Sequence, residues 1–165
     1  MTMAVSYREG FGLRLTEHFW LGEFTCKCGR DDGHFCNGAV HADGIYKLVL
    51  PLERLRGIVG PIMIESGYRC MAYHEAIYQG INQKRLQSGR PTVEVPKGTA
   101  HTKGLGSDIY PKLGPIEKNE DSRRMLRECG FHGVGWRLGE LANKLHVDVM
   151  ERGGGSRLAE WDYAT

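Results

Sequence analysis

The chain has 165 residues, of which 41% are hydrophobic and 25% are charged, values typical of a folded domain with its own core. Its 22 basic and 20 acidic residues leave a formal net charge of +2, which is too small to indicate a nucleic-acid-binding surface. No apolar run approaches the roughly 18 residues that a membrane span requires. We therefore expect neither nucleic acid nor membrane among its partners.

The amino-terminal residues, MTMAVSYREGFG, lack the apolar stretch of a secretory signal. We expect synthesis in the cytoplasm, so any export would need another route. The chain carries five cysteines, an odd number, which argues against a disulfide framework when no signal is present.

The first part of the chain predicts a flexible arm, a packing segment and a helix. Residues 1–14 read as the arm, and residues 15–24 concentrate the leucines and aromatic side chains of a packing segment. Apolar residues recur at helical spacing over 42–59. In that helix Asp43 is the expected N-cap, and Pro51 should kink the helix or break it in two.

Two further helices and several short strands are predicted beyond it. One helix covers 71–87, and another covers 116–129 and ends before Gly130, which suits a left-handed C-terminal turn. The buried positions expected in the first of these helices are Ala72, Ala76, Ile77, Ile81 and Leu86. The predicted strands are 63–65, 105–110, 131–136 and 145–150.

Helices and strands that follow one another without regular alternation indicate an α+β fold. We expect residues 15–152 to form a single domain. Residues 153–165 begin with a glycine-rich break, and the tail that follows should dock on this domain through Trp161 and Tyr163.

Three cysteines and a histidine lie close together in a glycine-containing loop, at Cys26, Cys28, His34 and Cys36. Three thiolates and an imidazole can bind zinc tetrahedrally, and four protein ligands leave no position for a substrate. The set therefore predicts a second, structural metal site. Free thiols in a polar loop are the alternative, and the sequence leaves both open.

The stretch TAHTKGLGSD, residues 99–108, sets His101 and Asp108 on either side of Gly104 and Gly106. The glycines allow the chain to turn back, so the imidazole and the carboxylate can converge on one point. This pair of ligand types suits zinc. A surface loop with an ordinary histidine and a capping aspartate is the alternative for this stretch alone.

The segment LHVDVM supplies a third ligand, because side chains alternate along a strand and His146 therefore shares a face with Asp148. We interpret His101, Asp108 and His146 as ligands of a zinc ion with an open position for water. Asp148 is the first candidate for the general base, and orienting a ligand imidazole is its alternative role. Weaker candidates for the base, named by nearness in sequence, are His132 and Glu140.

Arg69 follows a predicted strand through the turn Ser66-Gly67-Tyr68. Its guanidinium could bind a substrate carboxylate through two parallel hydrogen bonds. A structural salt bridge is the alternative, and the sequence does not decide between the two.

These motifs resemble those of the zinc D-alanyl-D-alanine metallopeptidases, whose relatives include phage L-alanyl-D-glutamate endolysins. SGYR at 66–69 is similar to the family's substrate-side turn, and TAHTKGLGSD resembles its S-x-H-x6-D block with Thr99 in place of serine. GFHGVGW at 130–136 followed by HVD at 146–148 resembles the branch with an H-x-D third motif. FWLGEFTCKCG resembles amino-terminal segments of phage-encoded members of that branch.

The resemblance covers residues 15–150 and implies the same three zinc ligands, with a substrate-binding role for Arg69. It implies a hedgehog-like α+β fold with a small antiparallel sheet, and a zinc carboxypeptidase or endopeptidase that cleaves peptidoglycan stem peptides. Many relatives place an acidic base three residues before the third ligand, where this chain has Asn143. A non-catalytic module of the same fold, wall-binding or part of a phage structure, is therefore the alternative.

The partner that this resemblance implies is a peptidoglycan stem peptide, bound by a monomeric protein. A weakly basic surface suits an anionic polymer such as the bacterial wall. Without a secretory signal, action on the wall would require release by a holin or by another route.

Overall fold

A computed structural model of the chain describes residues 2–4, 12–28, 36, 38–137, 143–152 and 158–163. The strands are β1 (Thr2–Ala4), β2 (Ala39–His41), β3 (Ile62–Ser66), β4 (Gly106–Pro111), β5 (Gly133–Arg137), β6 (Leu145–Asp148) and β7 (Ala159–Tyr163). The helices are α1 (Leu21–Phe24), α2 (Ala42–Val59), α3 (Met71–Gln87) and α4 (Glu120–Cys129). The predicted α+β class is confirmed. None of these helices is both long and apolar enough to cross a membrane.

Five strands form one sheet in the order β3-β4-β6-β5-β7, and its neighbours are antiparallel except for the parallel pair β5-β7. In the pairing of β4 with β6, Asp108 lies directly opposite His146. On the other side of β6, Gly135 of β5 is the partner of His146. The sheet therefore brings together residues that are distant in sequence, at its centre.

The hydrophobic core lies between one face of the sheet and helices α1, α2 and α4. Helix α2 contacts α4, and α1 contacts β3. The rings of Phe19 and Phe24 are fully buried and meet edge to face with centroids 6.0 Å apart. The largest other side chains that are fully buried in this core are Ile45, Leu48, Leu52, Leu55, Ile109, Leu126 and Phe131. Of the residues predicted as a packing segment, Phe19, Leu21 and Phe24 belong to this core, whereas Trp20 is exposed.

Helix α2 has the predicted bounds, but its predicted N-cap was wrong, and of the two outcomes expected at Pro51 the break does not occur. Its N-cap is His41 rather than Asp43, because the His41 imidazole accepts a hydrogen bond from the backbone N–H of Gly44 at 3.3 Å. Pro51 does not break the helix, which is continuous through it. Burial of Leu48 and Leu52 holds the turns on both sides of the proline, so packing offsets the one hydrogen bond that it removes.

Helix α3 also has the predicted bounds, but its expected burial was wrong. Among its residues only His74 is buried. Of the positions expected in the core, Ala72, Ile81 and Leu86 are exposed, and Ala76 and Ile77 are half-buried. The apolar stripe of this helix faces a cleft instead of the core.

Both ends of the described chain form strands, one within the predicted arm and one within the predicted tail. Thr2–Ala4 pair with β2 as a short antiparallel strand, whereas a flexible arm was predicted over 1–14. The tail runs alongside β5 as strand β7. The glycine-rich break at 153–157 lies outside the described residues.

Helix α4 begins four residues later than predicted, at Glu120 instead of Ile116. Its cap is Asn119, whose side chain accepts a hydrogen bond from the Ser122 N–H at 2.9 Å. The helix ends at Gly130, which has a φ of 101° as the sequence predicted.

Gly135 provides a test of how β7 docks on the sheet. A Cβ atom at this position would lie 2.5 Å from the Tyr163 ring and 2.6 Å from the Trp161 Nε1 atom. We expect Gly135→Ala to lower the free energy of unfolding by about 1–3 kcal/mol, measured by urea denaturation. Gly80→Ala is the control, because nothing lies within 4 Å of its Cβ position and alanine favours the helix. An unchanged stability of Gly135→Ala would contradict the observed docking of β7.

Candidate metal centre

The loop before β4 holds His101 in a defined position. The Thr99 hydroxyl accepts a hydrogen bond from the Thr102 N–H at 3.3 Å, and the Gly104 N–H donates to the His101 carbonyl at 3.1 Å. Gly104 has a φ of 69°, a conformation that favours glycine. The serine-to-threonine difference at position 99 keeps the hydroxyl that this turn uses.

The structure brings His101, Asp108 and His146, here called the ligand triad, to one point. The distance from His101 Nε2 to His146 Nδ1 is 3.1 Å, and both nitrogens lie near Asp108 Oδ1, at 3.3 and 3.1 Å. Donor atoms bonded to one tetrahedral zinc ion at about 2.0–2.1 Å would lie about 3.3 Å apart. The triad is buried, with no member more than 5% exposed. Its geometry can hold a metal ion.

Both imidazoles are oriented through their second nitrogen. The Nδ1 atom of His101 donates to the Gly67 carbonyl at 2.7 Å, which leaves the lone pair of Nε2 directed into the triad. The Nε2 atom of His146 lies 3.4 Å from Asp148 Oδ2. Metal-binding histidines usually have such a partner on the ring nitrogen that does not bind the metal. The donor set therefore fits a metal ion.

The charge states of His101 and Asp108 suit cation binding, whereas a cation would have to displace the proton that Asp108 and Asp148 favour on His146. Burial lowers the pKa of His101, which keeps this ring neutral. Burial would raise the pKa of Asp108, but His101, His146 and Arg69 together hold it well below its usual value. Burial also opposes protonation of His146, but hydrogen bonds to Asp108 and Asp148 raise its pKa overall. The carboxylate is ionised and supplies the negative charge of the site.

Asp148 lies on the side of the His146 ring that faces away from the rest of the triad. Its two oxygens accept hydrogen bonds from Arg152 at 2.8 and 2.7 Å, and Oδ1 accepts another from the Met150 N–H at 3.0 Å. Burial alone would raise its pKa, but the hydrogen bonds from His146 and Arg152 bring the pKa to about 2. This geometry favours the orienting role over that of a general base.

Arg69 forms an ion pair with Asp108, one of the candidate metal ligands. Its guanidinium donates to Asp108 Oδ2, and its Nε donates to the Ser66 hydroxyl at 2.9 Å. The pair fixes the second oxygen of the Asp108 carboxylate, so that the first faces the histidines. Of the two roles that the sequence left open, the structural salt bridge is the one that this geometry favours.

The triad lies at the wall of a cleft of about 570 Å³. Helix α3 contributes an apolar wall to it through Ile77, Tyr78 and Ile81, and β7 contributes Trp161 and Tyr163. The Trp161 ring contacts the His146 ring at a tilt of 50°, with 5.3 Å between centroids. A volume of this size suits a small peptide or a comparable ligand.

Arg137 is a cleft residue that sequence reasoning missed. Its guanidinium lies over the Tyr163 ring at 4.9 Å from the centroid, with NH2 3.8 Å from Asp108 Oδ2. Its Nε atom is buried and has no hydrogen-bond partner among the described residues. Strand alternation offered a signal, because Arg137 follows Gly135 by two residues and Gly135 pairs with His146.

The remaining sequence candidates lie away from the triad or outside the described residues. His132 is exposed and is absent from the cleft lining. Asn143 donates a hydrogen bond to the Tyr110 hydroxyl at 2.8 Å. Glu140 and His34 are outside the described part of the chain.

A second group of ligand-type residues lies at the predicted cysteine site. The sulfurs of Cys26, Cys28, Cys36 and Cys70, here called the cysteine cluster, all lie within 4.8 Å of one another, and this set too can hold a metal ion. Cys70 was not predicted, because it is distant in sequence and only the fold brings it close. Burial raises the pKa of Cys26, and it raises that of Cys36 to about 11.

Comparison of the chain with protein-family models, with curated proteins and with solved structures gave no match. The resemblance to the D-alanyl-D-alanine metallopeptidases therefore stays a prediction that is based on its motifs.

The contact between Asp148 and His146 predicts an effect on metal affinity. We expect Asp148→Asn to weaken zinc binding by the triad about 10–100-fold, because the amide orients the imidazole less strongly. Competition titration against a zinc-binding dye measures the effect. The control is Asp162→Asn, which removes an exposed carboxylate paired with Lys118. Equal affinity in the two variants would show that Asp148 does not orient the ligand.

Proposed function

We propose that this protein is a zinc metallopeptidase that hydrolyses peptide bonds of peptidoglycan stem peptides, as a D,D-carboxypeptidase or an endopeptidase. The observation that carries the proposal is the ligand triad, in which three donors converge at distances of 3.1–3.3 Å at the wall of a cleft. The motif resemblance supports the reaction and the substrate class.

The donor set favours zinc over harder or softer metals. Two imidazoles and one carboxylate are ligands typical of zinc, and three protein ligands are typical of catalytic rather than structural zinc sites. A zinc ion in the triad would supply a Lewis acid that polarises the scissile carbonyl and activates a water molecule. The other functions of the site belong to residues of the chain.

Residues around the triad keep the ligands in a fixed arrangement. The Gly67 carbonyl holds the His101 ring, and Asp148 holds the His146 ring. Arg69 holds the Asp108 carboxylate and offsets part of its charge. Such preorganisation avoids movement of the ligands during the reaction.

Arg137 is the residue best suited to bind a substrate carboxylate. Arg69 and Arg152 donate hydrogen bonds to Asp108 and Asp148. Arg137 approaches Asp108 only at 3.8 Å, and its buried Nε has no hydrogen-bond partner among the described residues. An unsatisfied buried donor costs about 1–3 kcal/mol, which a bound carboxylate would relieve. Stem peptides carry free carboxylates, so their charge matches this side of the cleft.

The apolar wall of α3 faces the cleft and suits the small side chains of a stem peptide. Ile77, Tyr78 and Ile81 contribute to this wall. Alanine methyl groups could contact it while the peptide carbonyl approaches the triad.

A non-catalytic module that binds the wall peptide is the second candidate function. Among the described residues that line the cleft, the carboxylates are Asp108 and Asp148, and both are held by arginines. Asn143 occupies the position of the usual acidic base and bonds to Tyr110. These observations favour binding without turnover.

Digestion of purified peptidoglycan separates the two functions. We expect the zinc-loaded protein to release D-alanine or to cleave stems or cross-links, detected by mass spectrometry of the muropeptides. His101→Ala should abolish cleavage, since it removes a metal ligand. His18→Ala is the matched control, because this exposed histidine pairs with Glu53 outside the cleft. Binding of stem peptides without any cleaved product would support the module instead.

The assignment of Arg137 predicts a specific loss of carboxylate recognition. We expect Arg137→Ala to raise KM for a stem peptide about tenfold or more, with a smaller change in kcat. The wild type should discriminate against the same peptide with an amidated carboxyl terminus, and the variant should not. Arg124→Ala, an exposed arginine of α4 paired with Asp121, is the control. Unchanged discrimination in Arg137→Ala would refute the assignment.

A further inference from the structure

The cysteine cluster is built from two segments that are separate in the sequence. Cys26 and Cys28 follow α1, whereas Cys70 is the N-cap residue of α3. Three of the four thiols are buried, and Cys36 is half-buried. Among the residues that the structure describes, no other element brings together so many sulfur atoms.

The sulfur positions fit a single ion better than a disulfide. The Sγ atoms of Cys28 and Cys36 lie 3.3 Å apart, well beyond the about 2.05 Å of a disulfide bond. Sulfurs bonded to one tetrahedral zinc ion at about 2.3 Å would lie about 3.8 Å apart. The measured 3.3 Å and the 4.8 Å limit on all separations within the cluster lie on either side of this value.

A backbone group offsets part of the effect of burial, which raises the pKa of Cys26 overall. The Cys70 N–H donates to Cys26 Sγ at 3.3 Å. Hydrogen bonds of this kind favour the thiolate over the thiol, and the thiolate is the form that binds metal.

We propose that the cysteine cluster binds a second zinc ion, which is structural and ties the segment after α1 to the start of α3. Four thiolates fill a tetrahedral coordination sphere and leave no position for a substrate. A fully sulfur-ligated site selects zinc or iron among the common metals. The proposal goes beyond the peptidase function and does not depend on it.

The second zinc would stabilise the turn that supports the ligand triad. The Gly67 carbonyl of this turn orients His101, and Arg69 of the same turn binds Asp108. The Tyr68 N–H donates to the Phe24 carbonyl at 2.9 Å, so the turn already rests on the chain that leads to Cys26. A zinc ion bonded to both Cys26 and Cys70 would join these two segments a second time.

Zinc analysis with X-ray absorption at the zinc edge tests the proposal. We expect the wild-type protein to contain two zinc ions per chain. Its spectrum should show both sulfur ligands and nitrogen or oxygen ligands. A His101→Ala/His146→Ala variant should keep one zinc ion, surrounded by four sulfurs at about 2.3 Å. The wild-type spectrum alone would already reveal the sulfur shell if this variant failed to fold.

Cysteine variants give the matched comparison. Cys28→Ala should lose the sulfur-bound zinc and lower the midpoint of thermal unfolding. Cys129→Ala should keep both ions, because this buried thiol lies outside the cluster. The absence of sulfur from the zinc shell, iron in place of zinc, or a Cys28–Cys36 disulfide in protein purified without air would each overturn the proposal. A sulfur-bound zinc in a protein that cleaves no peptide would uphold it and refute the peptidase function.

Discussion

The pairing of β4 with β6 is the constraint on which the site depends, because it sets Asp108 directly opposite His146. A slip of one residue in this pairing would turn the residues of one strand to the other face of the sheet. The register is fixed from the core side, where Ile109 and Val147 are fully buried next to the two ligands in sequence. Hydrophobic packing on one face of the sheet therefore determines the polar geometry on the other, and His101 completes it from the adjoining loop.

Buried charges around the triad are balanced in pairs. Asp108 is paired with Arg69, and Asp148 with Arg152, although each of these carboxylates is almost entirely removed from water. Buried ion pairs add little net stability, since the cost of desolvation offsets their attraction. Their effect here is on orientation, because each arginine fixes a carboxylate that in turn binds or orients an imidazole of the site. On the polar face of the sheet, the ion pairs therefore add little to the stability of the fold but fix the positions of the donor atoms.

Periodic patterns along the chain gave most of the helix and strand positions, whereas some contacts between separate segments were missed. Strand alternation and a glycine-containing turn were sufficient to predict the triad, and helical periodicity gave the bounds of α2 and α3. Cys70 could not be assigned to the cluster, since its contact with Cys26 joins separate segments. Local rules also misplaced the N-cap of α2. They allowed a break at Pro51 as one of two outcomes, and it does not occur because packing on both sides outweighs the preference of a single residue.

The exposed apolar stripe of α3 also has a consequence for how ligands enter the cleft. A helix whose only buried residue is His74 has few apolar contacts with the body, so its local opening should need much less free energy than global unfolding. Amide exchange would then be faster in the last turns of this helix than in α2, whose leucines are in the core. Cys70 lies at the amino-terminal end of α3, so the cysteine cluster contacts this helix at the end opposite to those last turns.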